Sequence, residues 1–159
     1  MSQAITLPET TSIPPKRIRN SAKAMILRDD CLLVSKIVDE GGFYYVLPGG
    51  GQEPDEILSD TVIRECAEEL GTRVEAGPLR FIVERTQGED FHRIDFIFEC
   101  RDTGEKSDTT LELDNRHAGY EWLPLDTLEG LPFYPVRLRT AIRDFNHGDT
   151  THIYLGHDD

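Results

Sequence analysis

The chain has 159 residues and a mass of 18.1 kDa, the size of one domain, and its 38% hydrophobic content can supply a core. A formal net charge of −13 repels nucleic-acid phosphates, so nonspecific nucleic-acid binding is not expected. A small phosphorylated substrate stays open if metal ions supply positive charge locally, and no apolar run approaches the roughly 20 residues that cross a bilayer, so no membrane partner is expected.

The opening MSQAITLPETTSIPPKR lacks a basic start followed by an apolar run, so no secretory leader is expected. Its Pro, Ser and Thr content reads as a flexible arm over residues 1–16, with one domain over 17–159. Strands are expected over Ser21–Leu27 and Cys31–Val38, joined by a turn at Arg28-Asp29-Asp30. A third follows over Phe43–Leu47, rich in aromatic and β-branched residues. After Pro48 and three glycines, Pro54-Asp55-Glu56 has the composition of a helix start. That helix should run to Leu70, with Gly71 as the left-handed residue past its end. Thr72–Val74 and Leu79–Arg85 read as strands around a Gly77-Pro78 break, and Phe91–Cys100 as another. Arg101–Arg116 is polar and reads as a loop. Tyr120–Leu123 is a short strand, Pro135–Asn146 has helical spacing, and His152–Leu155 closes the chain as a strand. Strands broken by one central and one late helix predict an α/β fold, a mixed sheet with helices packed on it. Cys31, Cys66 and Cys100 are far apart and odd in number, which argues for small core residues, reduced thiols and a cytoplasmic address.

The central helix sets two readings against each other. At about 100° per residue, Leu58, Val62, Ile63, Cys66 and Leu70 form one buried stripe. Asp60, Arg64 and Glu68 fall opposite it, where a solvated face is the natural reading. Glu65 and Glu69 fall together on one flank of the stripe. Four residues apart, they are neighbours and repel each other. Partial burial worsens the repulsion. A hard divalent cation such as Mg²⁺ would relieve it. A plain acidic helix surface is the competing reading, since glutamate is a good helix former.

The segment Gly50–Thr72, GGQEPDEILSDTVIRECAEELGT, resembles the Nudix box. Gly50, Glu56, Arg64, Glu65, Glu68, Glu69 and Gly71 all stand in the pattern's register, while Cys66 and Thr72 occupy positions where Ile, Leu or Val is usual. YYVLPGG before the box and YEWLPL after it also look like family segments. The resemblance implies a Nudix-type α/β/α sandwich and a hydrolase that cleaves the diphosphate linkage of a nucleoside diphosphate derivative or nucleotide. It implies Mg²⁺ as cofactor, with Mn²⁺ as the other candidate. Glu65 and Glu69 match the principal metal ligands, Glu68 a position that binds a further metal or orients water, and the Gly50 carbonyl another ligand. Glu56 and Arg64 match residues that hold the loop and helix together. Metal ions would neutralise developing charge and activate a water, and a carboxylate would take its proton. Glu65 or Glu68 is the candidate base, with Glu99, Glu112 and Asp114 eligible outside the box.

Substrate identity must come from outside the box. The window Gln87-Gly88-Glu89-Asp90 carries neither the proline of many ADP-ribose enzymes nor the tyrosine of many dinucleoside polyphosphate enzymes. Lys36, Arg85 and Arg93 are candidate phosphate contacts, each with a surface role as the alternative. Phe43, Tyr44 or Phe91 would either stack on a base or pack the sheet. His92 and His117 show no ligand spacing. Two other functions compete: a regulatory module that binds a nucleotide without cleaving it, and a prenyl diphosphate isomerase. Retention of every box glutamate favours the hydrolase over the first. The second needs a cysteine in a site-facing loop, whereas Cys31 and Cys66 read as buried. Dimers are common among look-alikes, so a homodimer is entertained.

Overall fold

In a computed structural model of the chain, residues 15–87 and 91–158 are described. The expected arm over 1–16 lies almost wholly outside them, as do residues 88–90 and the side chain of Phe91.

A hairpin opens the domain. Strand β1 (Ile18–Met25) leads through β2 (Leu27–Arg28) to β3 (Cys31–Asp39), and Asp29 and Asp30 turn the chain at φ 49° and 59°. Aspartate tolerates this left-handed region better than most residues. Next come β4 (Gly42–Val46), the short glycine strand β5 (Gly49–Gly51) and helix α1 (Leu58–Leu70). The long strands β6 (Thr72–Gln87) and β7 (Phe91–Lys106) pair antiparallel. Strand β8 (His117–Pro124), a 3-10 helix (Leu125–Gly130), helix α2 (Arg137–Asn146) and strand β9 (Tyr154–His157) complete the described chain.

The strands form two sheets. One is mixed, in the order β5-β1-β7-β6-β9, with β1 parallel to β7 and β9 parallel to β6. The other joins β2, β3 and β4, with β8 on the other side of β3. Alternation along β1 assigns the faces. Ala22 and Ala24 point to α1, where they pack with Val62, Cys66, Val74 and Cys100. Met25 points to the opposite layer with Phe81, Val83, Ile97, Leu138 and Ile142 beneath α2. The result is the expected α/β/α sandwich, with a hydrophobic layer on each side of the sheet.

Two boundaries and one burial differ from expectation. The Gly77-Pro78 break does not divide two strands; β6 runs through it, and register shifts between Ala76 and Phe81 absorb the irregularity. The polar stretch after Cys100 stays in β7 to Lys106 because β6 offers it a partner, with Val74 opposite Asp102 and Thr72 opposite Lys106. Cys31 is only half-buried, unlike Cys66 and Cys100.

Candidate active site

Helix α1 begins at Leu58, not at Pro54. Asp55 sits at φ 64°, which no helix allows, and Glu56 folds inward instead of starting a turn. The Glu56 carboxylate accepts hydrogen bonds from the Glu53 amide at 3.2 Å, the Thr61 hydroxyl at 2.7 Å and Arg64 Nε at 2.7 Å. The Arg64 hydrogen bond is the main cause that brings the Glu56 carboxyl down to about 2.

Arg64 is the hub of this arrangement. Beyond Glu56, its guanidinium donates to the Gly51 carbonyl at 3.0 Å, to Glu65 Oε1 at 3.0 Å and to Glu68 Oε1 at 3.3 Å. Five fixed donors make arginine suited to such bridging, where lysine is not. The face expected to be solvated is therefore largely covered: Arg64 and Glu68 side chains are only 24% and 19% exposed. The glycine loop before the helix folds over that face, a tertiary contact that helical periodicity does not encode.

The glycines let the helix carboxylates reach the loop. A Cβ on Gly50 would stand 2.5 Å from the Glu65 carboxyl carbon, so any larger residue would displace Glu65. Gly49, at φ 134°, donates its amide to Glu69 Oε2 at 3.1 Å. The loop is held from the sheet side by Ser21, whose hydroxyl donates to the Gly50 carbonyl at 3.0 Å, and by Lys23, whose Nζ donates to the Gly49 carbonyl at 3.0 Å. Tyr120 OH donates to the Glu69 carbonyl, tying β8 to the end of α1. Burial pushes the Glu69 carboxyl up to about 7 and raises Glu65 as well. Burial likewise lowers the Lys23 ammonium.

Beside Glu69 and Gly49 opens a cavity of about 280 Å³. Arg85 and Arg93, two of the three candidate phosphate contacts, line it, and so does Tyr44. Arg85 Nη2 is paired at 3.0 Å with Asp95, which is 1% exposed. Lys36 is not brought there. Ser35 and Ile37, its neighbours on β3, face the cavity, so strand alternation turns Lys36 away. Its Nζ pairs with Glu121 at 3.4 Å and lies 4.5 Å above the Phe43 ring. Of the acids outside the box, Glu112 and Asp114 line the cavity, whereas Glu99 is held by Arg80 away from it.

Lys23 and Asp95 are among the residues of this site that escape the sequence reading. They stand on adjacent strands, facing the same layer as Met25 and Ile97. A signal existed for both: a lysine inside SAKAM and an aspartate inside RIDFIF interrupt otherwise apolar strand segments. Charges inside strands bound for the core are rare unless paired.

The oxygen donors gathered here are of the hard type that Mg²⁺ or Mn²⁺ prefers. Among the described residues, no group of three or more His, Cys, Asp and Glu side chains is gathered closely enough to hold a metal by side chains alone. A mixed set fits the donors better: Glu65 and Glu69 on α1 with a backbone carbonyl of the glycine loop, whose Gly50 lies against Glu65 because it has no side chain.

A mixed-sheet sandwich with a glycine loop and an arginine-tied glutamate helix defines a class, and comparison with known proteins agrees. The chain belongs to the Nudix hydrolase family: the NUDIX domain matches residues 17–145. It is similar to the 8-oxo-dGDP phosphatase NUDT18 of Homo sapiens, with 30% identity over 120 residues, 72% of this chain and 36% of that one. It thus spans about a third of NUDT18. A MutT-like protein of Streptomyces ambofaciens is 28% identical over 137 residues, covering 85% of this chain and 83% of that one. Among solved structures, a NUDIX hydrolase from Nitrosomonas europaea superposes with a TM-score of 0.70 at 21% identity, covering 84% of this chain and 91% of that one. At that identity the likeness speaks for the fold alone.

Proposed function

We propose that this chain is a Mg²⁺-dependent hydrolase, with Mn²⁺ as the alternative ion, that cleaves the diphosphate linkage of a nucleoside diphosphate derivative or nucleotide. The reading rests above all on one observation: Glu65 is seated against the Cα of Gly50 while Glu69 is hydrogen-bonded to Gly49, at the rim of a cavity that also holds Arg85 and Arg93. The name of the human relative, an 8-oxo-dGDP phosphatase, supports a nucleotide substrate. So does the cavity's cation content in a chain of net charge −13.

Glu65, Glu69 and the Gly50 carbonyl would hold the metal, with Glu68 beside them. When bound, the metal neutralises charge on the diphosphate and lowers the pKa of a coordinated water. The chain's own residues do the rest. Arg64 holds Glu56, Glu65 and Glu68 in one constellation and keeps the loop on the helix. Lys23 and Ser21 fix the loop carbonyls from the sheet. Arg85 and Arg93 supply positive charge to phosphate oxygens entering the cavity, as guanidinium groups commonly do. A carboxylate near the attacking water would remove its proton, with Glu65 or Glu68 in that role and Glu112 and Asp114, which line the cavity, as the other candidates. Lys36, tied to Glu121, is assigned no substrate contact.

A phosphate-release screen over nucleoside triphosphates, nucleotide sugars, ADP-ribose and dinucleoside polyphosphates tests the proposal. Turnover of at least one substrate is expected with Mg²⁺, abolished by EDTA, and about a hundredfold lower or more in Glu69→Gln. Full turnover in that variant would overturn the site assignment. Tight nucleotide binding with no turnover of any substrate would leave a binding module instead.

A further inference from the structure

His117 sits at the start of β8, opposite Ile37 of β3, and its ring lines the cavity. Its Nδ1 accepts a hydrogen bond from the Gly119 amide at 3.2 Å. An amide N–H can only donate, so Nδ1 must be the bare nitrogen of the ring. The proton of the neutral imidazole then stands on Nε2, which becomes an obligate donor. Burial favours the neutral ring by lowering the His117 pKa, against the opposing pull of Asp114. The ring is further held by Tyr120, 4.5 Å away between centroids. Among the described residues, Nε2 is buried and has no hydrogen-bond partner. A buried donor without an acceptor is costly and asks for a ligand or a bound water.

The surroundings indicate which kind of acceptor is missing. The charged donor Lys23 stands at the box end, bonded to Gly49 near Glu69. His117 offers an uncharged donor on the β3–β8 wall, in a cavity whose other lining includes Ile37, Tyr44 and Tyr134. Tyr44 and Tyr134 meet edge to face with centroids 6.2 Å apart. The aromatic side chains beside the uncharged His117 donor suit a planar heterocycle carrying a carbonyl oxygen or an unprotonated ring nitrogen, and Arg85, Arg93, Asp114 and Arg116 add charge to the same lining.

We propose that His117 donates a hydrogen bond from Nε2 to an acceptor atom on the nucleobase of the substrate and so helps determine base specificity. This rests on the reading of the substrate as a nucleotide.

The test uses the full chain with ¹⁵N-labelled histidine. Long-range ¹H–¹⁵N correlation of the imidazoles reports the tautomer, and His117→Gln identifies the signal among the five histidines. The free protein should show the Nε2–H form at His117. Adenosine, guanosine, cytidine and uridine are then added one at a time, with inorganic pyrophosphate in a separate series. At least one nucleoside should move the His117 Nε2–H resonance, and pyrophosphate should leave it in place. His117→Phe should weaken binding of that nucleoside about tenfold, while His117→Gln, which retains a donor, should stay within about threefold. An Nδ1–H tautomer, a resonance indifferent to all four nucleosides, or one moved by pyrophosphate alone would each overturn the proposal. None of these readings needs turnover, so a failed hydrolysis screen and a failed His117 assignment are told apart.

Discussion

At the scale of single residues, the site depends on an atom that is missing. Gly50 lacks the Cβ that would otherwise stand 2.5 Å from the Glu65 carboxyl carbon. Gly50→Ala should therefore push Glu65 away and weaken Mn²⁺ binding, measured by calorimetry, at least tenfold. Stability should change by no more than about 1 kcal/mol, because the methyl group meets a side chain that can move. Unchanged Mn²⁺ affinity would mean that Glu65 does not hold the ion. Glu69 offers a second test through its titration. Its carboxyl is raised from 4.5 to about 7, chiefly by burial. The metal-free folded state therefore binds more protons than the unfolded chain between those values, and stability falls as pH rises through that window. Glu69→Gln removes this slope. Chemical denaturation in EDTA at several pH values should show the wild type losing stability relative to the variant from about pH 4.5 to pH 7. A constant difference across the window would show that Glu69 titrates normally.

At the scale of elements, helix ends divide what the sequence shows from what it conceals. The body of α1 was legible because its apolar stripe repeats with helical period and Gly71 closes it at φ 66°. Its start was not. Pro54-Asp55-Glu56 has the composition of a first turn, yet Glu56 is drawn away by Arg64, eight residues on. Helix α2 is similar. Its start at Arg137 is secured by Asp158 at the far end of the chain, whose carboxylate accepts the amides of Val136 at 3.0 Å and Arg137 at 2.9 Å. No local pattern could reveal a cap supplied from 21 residues downstream. Asp158→Ala should leave both amides without that acceptor and cost about 1–2 kcal/mol. The melting temperature should fall by roughly 3–6 °C for a chain of this size. No change would mean that water replaces the carboxylate without loss.

At the scale of the whole molecule, two sheets and two helices bring together residues that the chain keeps apart. Alternation on β1, β7 and β6 places Lys23, Asp95 and Arg85 on one face, continuous with the core residues Met25, Ile97 and Val83. One sheet face thus serves as hydrophobic core under α2 and as polar cavity wall beside the glycine loop. The box was readable because its residues lie within a single loop and helix. Lys23 was not, because the loop carbonyl that it holds comes from a distant strand, and Lys36 stands outside the cavity because strand alternation sets its direction. The central claim is that helix acids crowd together because they share a divalent cation, and anomalous diffraction from crystals grown with Mn²⁺ tests it most directly. A peak is expected between the Glu65 and Glu69 carboxylates, next to the Gly50 carbonyl, and should vanish in Glu69→Gln. A wild-type map with no peak at these carboxylates, with Arg64 still bound to Glu65, would contradict it.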